Sequence, residues 1–341
     1  MRLIVLPCDP RRKLGYNRAV ARDLARLGNR PDDERVVYLE PGIDPPTGYG
    51  IIHRPRTLSP RRPLNLLLGR TLTETFAHDL RPFVAGRSWH EVFCGEVSFY
   101  RALRALLPEQ ELVVRFHNYF TLCRIRQQAR RYPVGARFAV QLKLFSRLEA
   151  EIVADRKVRP IFINPAEREL FGLQWPGRDA EVWGVDEPQQ VLAAAPKANR
   201  LLYLGSTAGH QSFGIRLLAD RVLPEVRKEI PGTEFHLWGE GTARFNRPAS
   251  GVFGHGYRKD ATLPFDGDGL FVIPDVLGGG IKIKTGDAIA RGRAFITTPF
   301  GTEGYRVNPD PNIMVVDFDQ WPSTIVEYFR RIGAGRQGDH G

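Results

Sequence analysis

Between positions 278 and 287 the chain reads GGGIKIKTGD, and these residue types at this spacing suit a diphosphate. Consecutive glycines, Gly278-Gly279-Gly280, let backbone N–H groups come close to an anion because no Cβ stands in the way. A helix starting directly after them adds the positive end of its dipole. Lys282 and Lys284 put two cations in that first turn, an unfavourable place for them unless an anion compensates. Asp287 follows one turn later, spaced to accept hydrogen bonds from a pair of sugar hydroxyls. Together they describe a diphosphate site with an adjacent ribose acceptor. The plainer alternative is a glycine turn leading into a solvated amphipathic helix.

The elements that must position these residues alternate between strand and helix along the whole chain. Residues 2–6 form a nearly continuous apolar run, as in a buried parallel strand. A helix is expected over 17–27 and a second strand over 35–39. Residues 41–88, rich in Pro, Gly and Arg, are the least regular stretch. Then follow strand 90–94, helix 100–107, strand 111–116, two helices across 119–154, and strands 160–164 and 181–185. Residues 186–199, with Pro188, three consecutive alanines and Pro196, look like a loose linker. The second half restarts with strand 200–204, helix 213–228, and strands 234–238, 252–253 and 269–273. Helix 282–290, strands 294–298 and 313–316 and a helix near 323–332 complete it. The 341 residues therefore read as two doubly wound α/β domains, 1–185 and 200–333, with a disordered tail at 334–341. In such sheets ligands sit beyond the carboxyl ends of the strands, so the loops there matter most.

Several chemistries are excluded. Gly239-Glu240-Gly241 starts a dinucleotide fingerprint, but Arg244 stands where its third glycine belongs, and Lys284-Thr285 is preceded by Ile283, not glycine. Asp266-Gly267-Asp268 and Asp317-Phe318-Asp319 resemble a metal-binding DxD, yet the second lies only 24 residues from the end. Asp319 also suits a helix cap. No Cys/His cluster has zinc spacing, and His53, His78, His90 and His340 are isolated. No metal is expected. Cys8, Cys94 and Cys123 are odd in number and lie in or beside apolar runs, as reduced thiols do. No apolar run approaches the ~20 residues that span a bilayer, and the N-terminus lacks the charge order of a secretory signal. A cytoplasmic protein is expected.

The run G-G-x-x-K-x-K-x-x-D-A-x-A-x-G, followed by a strand and T-x-x-G-x-E-G, resembles the donor site of retaining GT-B glycosyltransferases of family four. YLGS at 203–206, VLPEVRKEIP at 222–231 and FHLWGEG at 235–241 fit the same order, so the likeness covers about 200–310. It implies two Rossmann-like domains facing across a cleft and a metal-independent transfer from a UDP- or GDP-type sugar. By the same likeness Asp287 holds the ribose, whereas the family's first acidic position falls at Gly279. Glu303, Gly304 and Tyr305 would bring backbone amides to phosphate and sugar, with Gly280, Gly205 and Ser206 beside them. Gly239 and the stretch His255 to Tyr257 would flank the base. The loop GSTAGHQ lacks the basic residues the family often places there, so Lys282, Lys284 or both take over the leaving diphosphate, with His210 a lesser candidate. The first half agrees only in architecture, with Gly15 and Tyr16 in the first loop and RFHN at 115–118. His117 could contact the transferred sugar or the acceptor hydroxyl, or be a structural histidine; Gly15, Tyr16 and Asn118 are acceptor-side candidates.

The net charge of +11 is uneven: residues 1–150 hold 26 Lys and Arg against 14 Asp and Glu, and the rest is close to neutral. A basic excess confined to one half suggests a polyanionic partner, although an Arg-rich surface for solubility would look the same. Two acceptor classes follow. One is a lipid-linked or envelope saccharide reached at an anionic membrane surface, with 55–70 mixing Arg and Leu as a peripheral contact. The other is DNA carrying a hydroxylated base, with Tyr119-Phe120 or Phe99-Tyr100 as a wedge. A nucleotide-sugar-binding module without turnover and a GT-B epimerase remain alternatives of other classes.

Overall fold

The computed structural model describes residues 1–8, 16–28, 34–39, 49–52, 76–129, 135–185, 188–196, 198–207, 211–258, 265 and 267–338. Two compact units form, one holding Met1–Arg130 and Gly135–Val185, the other Asp186–Gly341.

The first unit carries a seven-stranded parallel sheet in the order β3-β2-β1-β4-β5-β6-β7. Its strands are β1 (Arg2–Leu6), β2 (Glu34–Leu39), β3 (Tyr49–Ile52), β4 (Glu91–Cys94), β5 (Leu112–Phe116), β6 (Val158–Phe162) and β7 (Glu181–Val182). The central strands are apolar at nearly every position because both faces are covered. Leu3, Val5, Val92, Val114 and Phe116 enter one core, whereas Ile4, Leu6, Phe93 and Val113 enter the other. Helices α1 (Tyr16–Leu27), α2 (Phe76–Val84), α3 (Tyr100–Leu106), α4 (Phe120–Ala129), α5 (Ala136–Ala154) and α6 (Pro165–Gln174) connect them. The irregular stretch expected over 41–88 thus contains β3 and α2. Helix α6 went unread; its start is set by Asn164, whose side chain accepts from Ala166 N–H, with Pro165 at the first turn.

The second unit repeats the plan with a six-stranded parallel sheet, β10-β9-β8-β11-β12-β13. These are β8 (Arg200–Leu204), β9 (Glu234–Trp238), β10 (Val252–Gly254), β11 (Leu270–Ile273), β12 (Phe295–Thr297) and β13 (Ile313–Val315). Helices α7 (Gln211–Leu217), α8 (Leu223–Glu229), α9 (Ile283–Ala290) and α10 (Trp321–Gly338) complete it. The helix expected over 213–228 is broken by a π-turn at Leu218–Val222. Pro224 has no N–H to continue the ladder, and a wider turn accommodates the missing bond. Two expectations are corrected. Residues 188–196, within the expected loose linker, are tied to the second unit: Ala193 N–H bonds the Asp310 carboxylate at 2.9 Å and Ala194 N–H bonds the Gly292 carbonyl at 3.0 Å. The tail, expected to be disordered from 334, continues as α10 to Gly338.

Candidate donor site

In both units the strand order reverses beside the first strand, between β1 and β4 and between β8 and β11. Doubly wound sheets bind ligands at that switch point, beyond the carboxyl ends of the strands. In the second unit this end is built from the loops after β8, β9, β11 and β12.

The loop after β11 and the start of α9 are locked to the loop after β12. Thr298 Oγ1 donates to the Asp275 carbonyl at 2.6 Å, and Thr285 Oγ1 to the Gly301 carbonyl at 2.7 Å. Tyr305 lies so close to Gly286 that a Cβ there would meet its ring at 2.8 Å. Gly278, Gly279 and Gly280 are buried, and Gly278 and Gly280 have φ of +134° and +66°, which side-chain-bearing residues rarely adopt. Gly304, at φ +86°, packs on Ile281.

The two lysines do not reach outward as the sequence suggests. Lys282 is buried; its ammonium donates to the Gly279 and Gly280 carbonyls at 3.0 and 3.2 Å and lies 3.5 Å over the Phe300 ring. A trans peptide points its N–H opposite to its carbonyl. Drawing these two carbonyls toward Lys282 therefore turns the N–H groups of Gly280 and Ile281 the other way. Lys284 pairs with buried Asp275 at 2.8 Å, and its ammonium lies 4.7 Å over the Tyr203 ring. Burial alone would draw protons off this ammonium; the Asp275 carboxylate, with Tyr203, reverses that and raises its pKa above the ordinary range. Asp287 is half-buried on α9, and Glu303 and Tyr305 are half-buried nearby in sequence.

The glycines after β8 and β9 permit a close backbone approach. Gly205 N–H bonds the Trp238 carbonyl at 2.9 Å, and a Cβ on Gly239 would stand 2.2 Å from the Gly205 carbonyl oxygen. Gly214, which the sequence reading passed over, presses α7 onto the end of β11; a Cβ there would stand 1.7 Å from the Pro274 carbonyl oxygen. Beyond β10, His255 and Tyr257 are exposed. His255 Nε2 meets His236 Nδ1 at 2.9 Å, and His236 Nε2 meets Glu234 at 3.0 Å. Burial, then the neighbouring His236 and Arg258, lower the His255 pKa. Leu202, His236, Trp238, His255, Arg258 and Asp268 line an open cavity of about 330 Å³. Among the described residues no three His, Cys, Asp or Glu side chains converge where a metal ion could sit.

In the first unit His117 is 5% exposed, with Nε2 3.6 Å from Asp23. Burial and the Arg115 charge hold its pKa well below the usual value, so the ring is neutral. The ring is enclosed within this unit's core, in keeping with the structural alternative. Arg115 bonds Asp23 at 2.8 Å and the carbonyls of Phe162 and Trp183 at 2.7 and 2.5 Å. Asn118 is half-buried beside it in the same loop. Two buried carboxylates that sequence reading missed fix this loop. Glu167 accepts from Tyr119 N–H at 3.0 Å, and Glu149 from the N–H groups of Phe120 and Thr121 at 2.6 and 2.8 Å. No local pattern marks them, because their partners lie 48 and 29 residues away. Gly15 and His210, and the side chain of Tyr16, lie outside the described residues.

Residues 198–331 match the family model described as glycosyl transferases group 1. No curated protein matches by sequence. Among solved structures the chain is similar to sucrose-phosphate synthase from Thermosynechococcus elongatus, at 15% identity and a TM-score of 0.65, covering 98% of this chain and 90% of that one. WaaG, a glycosyltransferase involved in lipopolysaccharide biosynthesis, is similar at 14% identity and 0.58, covering 96% and 90%. Anabaena HepE, solved with UDP and glucose, is similar at 11% identity and 0.53, covering 98% and 95%. These likenesses show the fold, that of two-domain GT-B structures with a Rossmann-like sheet in each unit. The matched segment covers most of the second unit.

Proposed function

We propose that this enzyme moves a sugar from a UDP- or GDP-type donor, without a metal ion and with retention, to a hydroxyl of an anionic or membrane-associated acceptor such as a lipid-linked or envelope saccharide. The observation that carries the donor reading is the Lys282 ammonium folded under the Gly279 and Gly280 carbonyls. Peptide geometry then turns the amides of Gly280 and Ile281 away from Lys282, which supports a diphosphate at the start of α9. A nucleoside diphosphate leaves readily when fixed N–H donors meet its growing charge, so such amides supply most of the electrostatic catalysis. Lys282 then acts as a positioning residue, and the charge of Lys284 is shared with Asp275. Asp287, on the same helix, is the proposed ribose acceptor. The acceptor reading rests on the basic excess of residues 1–150.

A thermal-shift series against UDP, GDP, ADP and dTDP in EDTA tests the donor site. A ligand at a hundred times its dissociation constant adds about 2.7 kcal/mol, or a few degrees at this size. One nucleotide family should stabilise the protein, and Asp287→Ala should abolish most of that gain. No shift with any nucleotide would remove the donor reading and leave the charged first unit as a binding module. Duplex DNA bound in preference to saccharide acceptors would move the acceptor to nucleic acid.

A further inference from the structure

No chemistry attaches to Tyr203 in the sequence, yet its hydroxyl stands where three segments of the second unit meet. The side chain leaves β8 into the core and is 1% exposed. Its hydroxyl donates to the Ser206 carbonyl, in the loop after β8, at 3.0 Å. The same oxygen lies 3.5 Å from the Lys284 ammonium on α9, which also sits over the phenol ring. That ammonium pairs with Asp275, in the loop after β11, at 2.8 Å. Burial raises the phenol's pKa, and the Lys284 charge opposes this only in part, so the hydroxyl keeps its proton. A directed chain of polar contacts therefore runs from the Asp275 carboxylate through Lys284 and Tyr203 to the Ser206 carbonyl. In a buried setting each member of such a chain polarises the next.

The chain crosses the switch point. Strands β8 and β11 are the neighbours at which the order reverses, so their two loops flank the place where a ligand enters. The Ser206–Thr207 peptide is held at both ends. Its carbonyl takes the Tyr203 proton, and its N–H bonds the Glu240 carbonyl, in the loop after β9, at 3.0 Å. Toward β9 the loop is thus fixed by backbone, as it is again by Gly205 N–H on the Trp238 carbonyl. Toward α9 the link is a side chain, the Tyr203 hydroxyl. A Cβ on Gly205 would stand 2.7 Å from that oxygen, so the loop folds directly over it. Phenylalanine would fill the same core volume; what the hydroxyl adds is the tie between the two loops.

We propose that Tyr203 is a positioning residue of the donor site, its hydroxyl setting the gap between the loop after β8 and the start of α9. This rests on the donor reading and adds to it a residue that touches no ligand. The test compares wild type with Tyr203→Phe, titrating each with the nucleoside diphosphates and monophosphates of uridine and guanosine. The diphosphate bridges the gap, so its affinity advantage over the monophosphate should shrink about three- to tenfold, as for one lost hydrogen bond. Leu201→Val, a core change on the same strand, should lower the melting temperature and leave that advantage intact. Without any ligand, hydrogen exchange in Tyr203→Phe should quicken together at amides 205–207 and 283–285, while those of β9 keep their rates. An undiminished diphosphate advantage in Tyr203→Phe, an equal loss in Leu201→Val, or unchanged exchange at both segments would each overturn the proposal. Wild-type protein that binds none of the four nucleotides is a separate outcome, which fails the donor reading itself.

Discussion

The least expected roles fall to the two lysines. In Lys282→Met the volume stays but both carbonyl contacts vanish, so the Gly280 and Ile281 amides lose their orientation. Hydrogen bonds to charged groups contribute about 1.5–3 kcal/mol each. Titration calorimetry should therefore show at least about a tenfold loss of nucleoside diphosphate affinity; unchanged affinity would mean that the loop holds its shape unaided. Lys284 is bound to an internal carboxylate, and the two partners make opposite predictions. Lys284→Met strands the Asp275 charge in the interior, a change of about 3–5 kcal/mol that appears as a lower melting temperature. Asp275→Asn releases the ammonium and should tighten diphosphate binding. Looser binding in Asp275→Asn would show that the pair acts as a unit.

At the level of elements, the first unit depends on carboxylates that reach across the fold. Glu149 on α5 caps the first turn of α4, where free N–H groups and the helix dipole favour a negative charge. Burial, outweighing those hydrogen bonds, lifts its pKa to about 8. The native state then holds a proton that the unfolded chain releases near its ordinary value of 4.5. The stability from this group is complete below about pH 4.5 and drains away as pH rises through 8. Denaturant melts between these limits should show declining stability, and Glu149→Gln should flatten the slope. A slope unchanged in Glu149→Gln would assign it to other groups. Gly214 serves the second unit comparably, since only glycine lets α7 lie against Pro274.

Across the whole molecule, charge and chemistry are divided. The basic excess belongs to residues 1–150, and the glycine-rich run proposed to bind the diphosphate belongs to the other unit. Each unit has its own pair of cores. Hydrogen exchange with a bound nucleoside diphosphate should slow at amides within 278–305 while those of β4 and β5 keep their rates. Protection confined to the first unit would place the nucleotide elsewhere.

Sequence alone determined the elements whose signals are local. Short apolar runs such as 270–273, bounded by Gly and Pro, read as strands covered on both faces, and glycines after strands mark where backbone approaches a ligand or another strand. The GGGIKIKTGD run thus marked the proposed anion site before any fold was known. What the side chains of that run do was decided by tertiary contacts. Lys282 and Lys284 look alike in the sequence, but Phe300 and two carbonyls claim one, while Asp275 and Tyr203 claim the other. His117 stayed open between a sugar contact and a structural histidine because nothing local reveals that Asp23, 94 positions earlier in the chain, lies beside it. Glu149 and Glu167 gave no signal for the same reason. A charge's role depends on what surrounds it, and residues distant in sequence supply those surroundings only once the chain has folded.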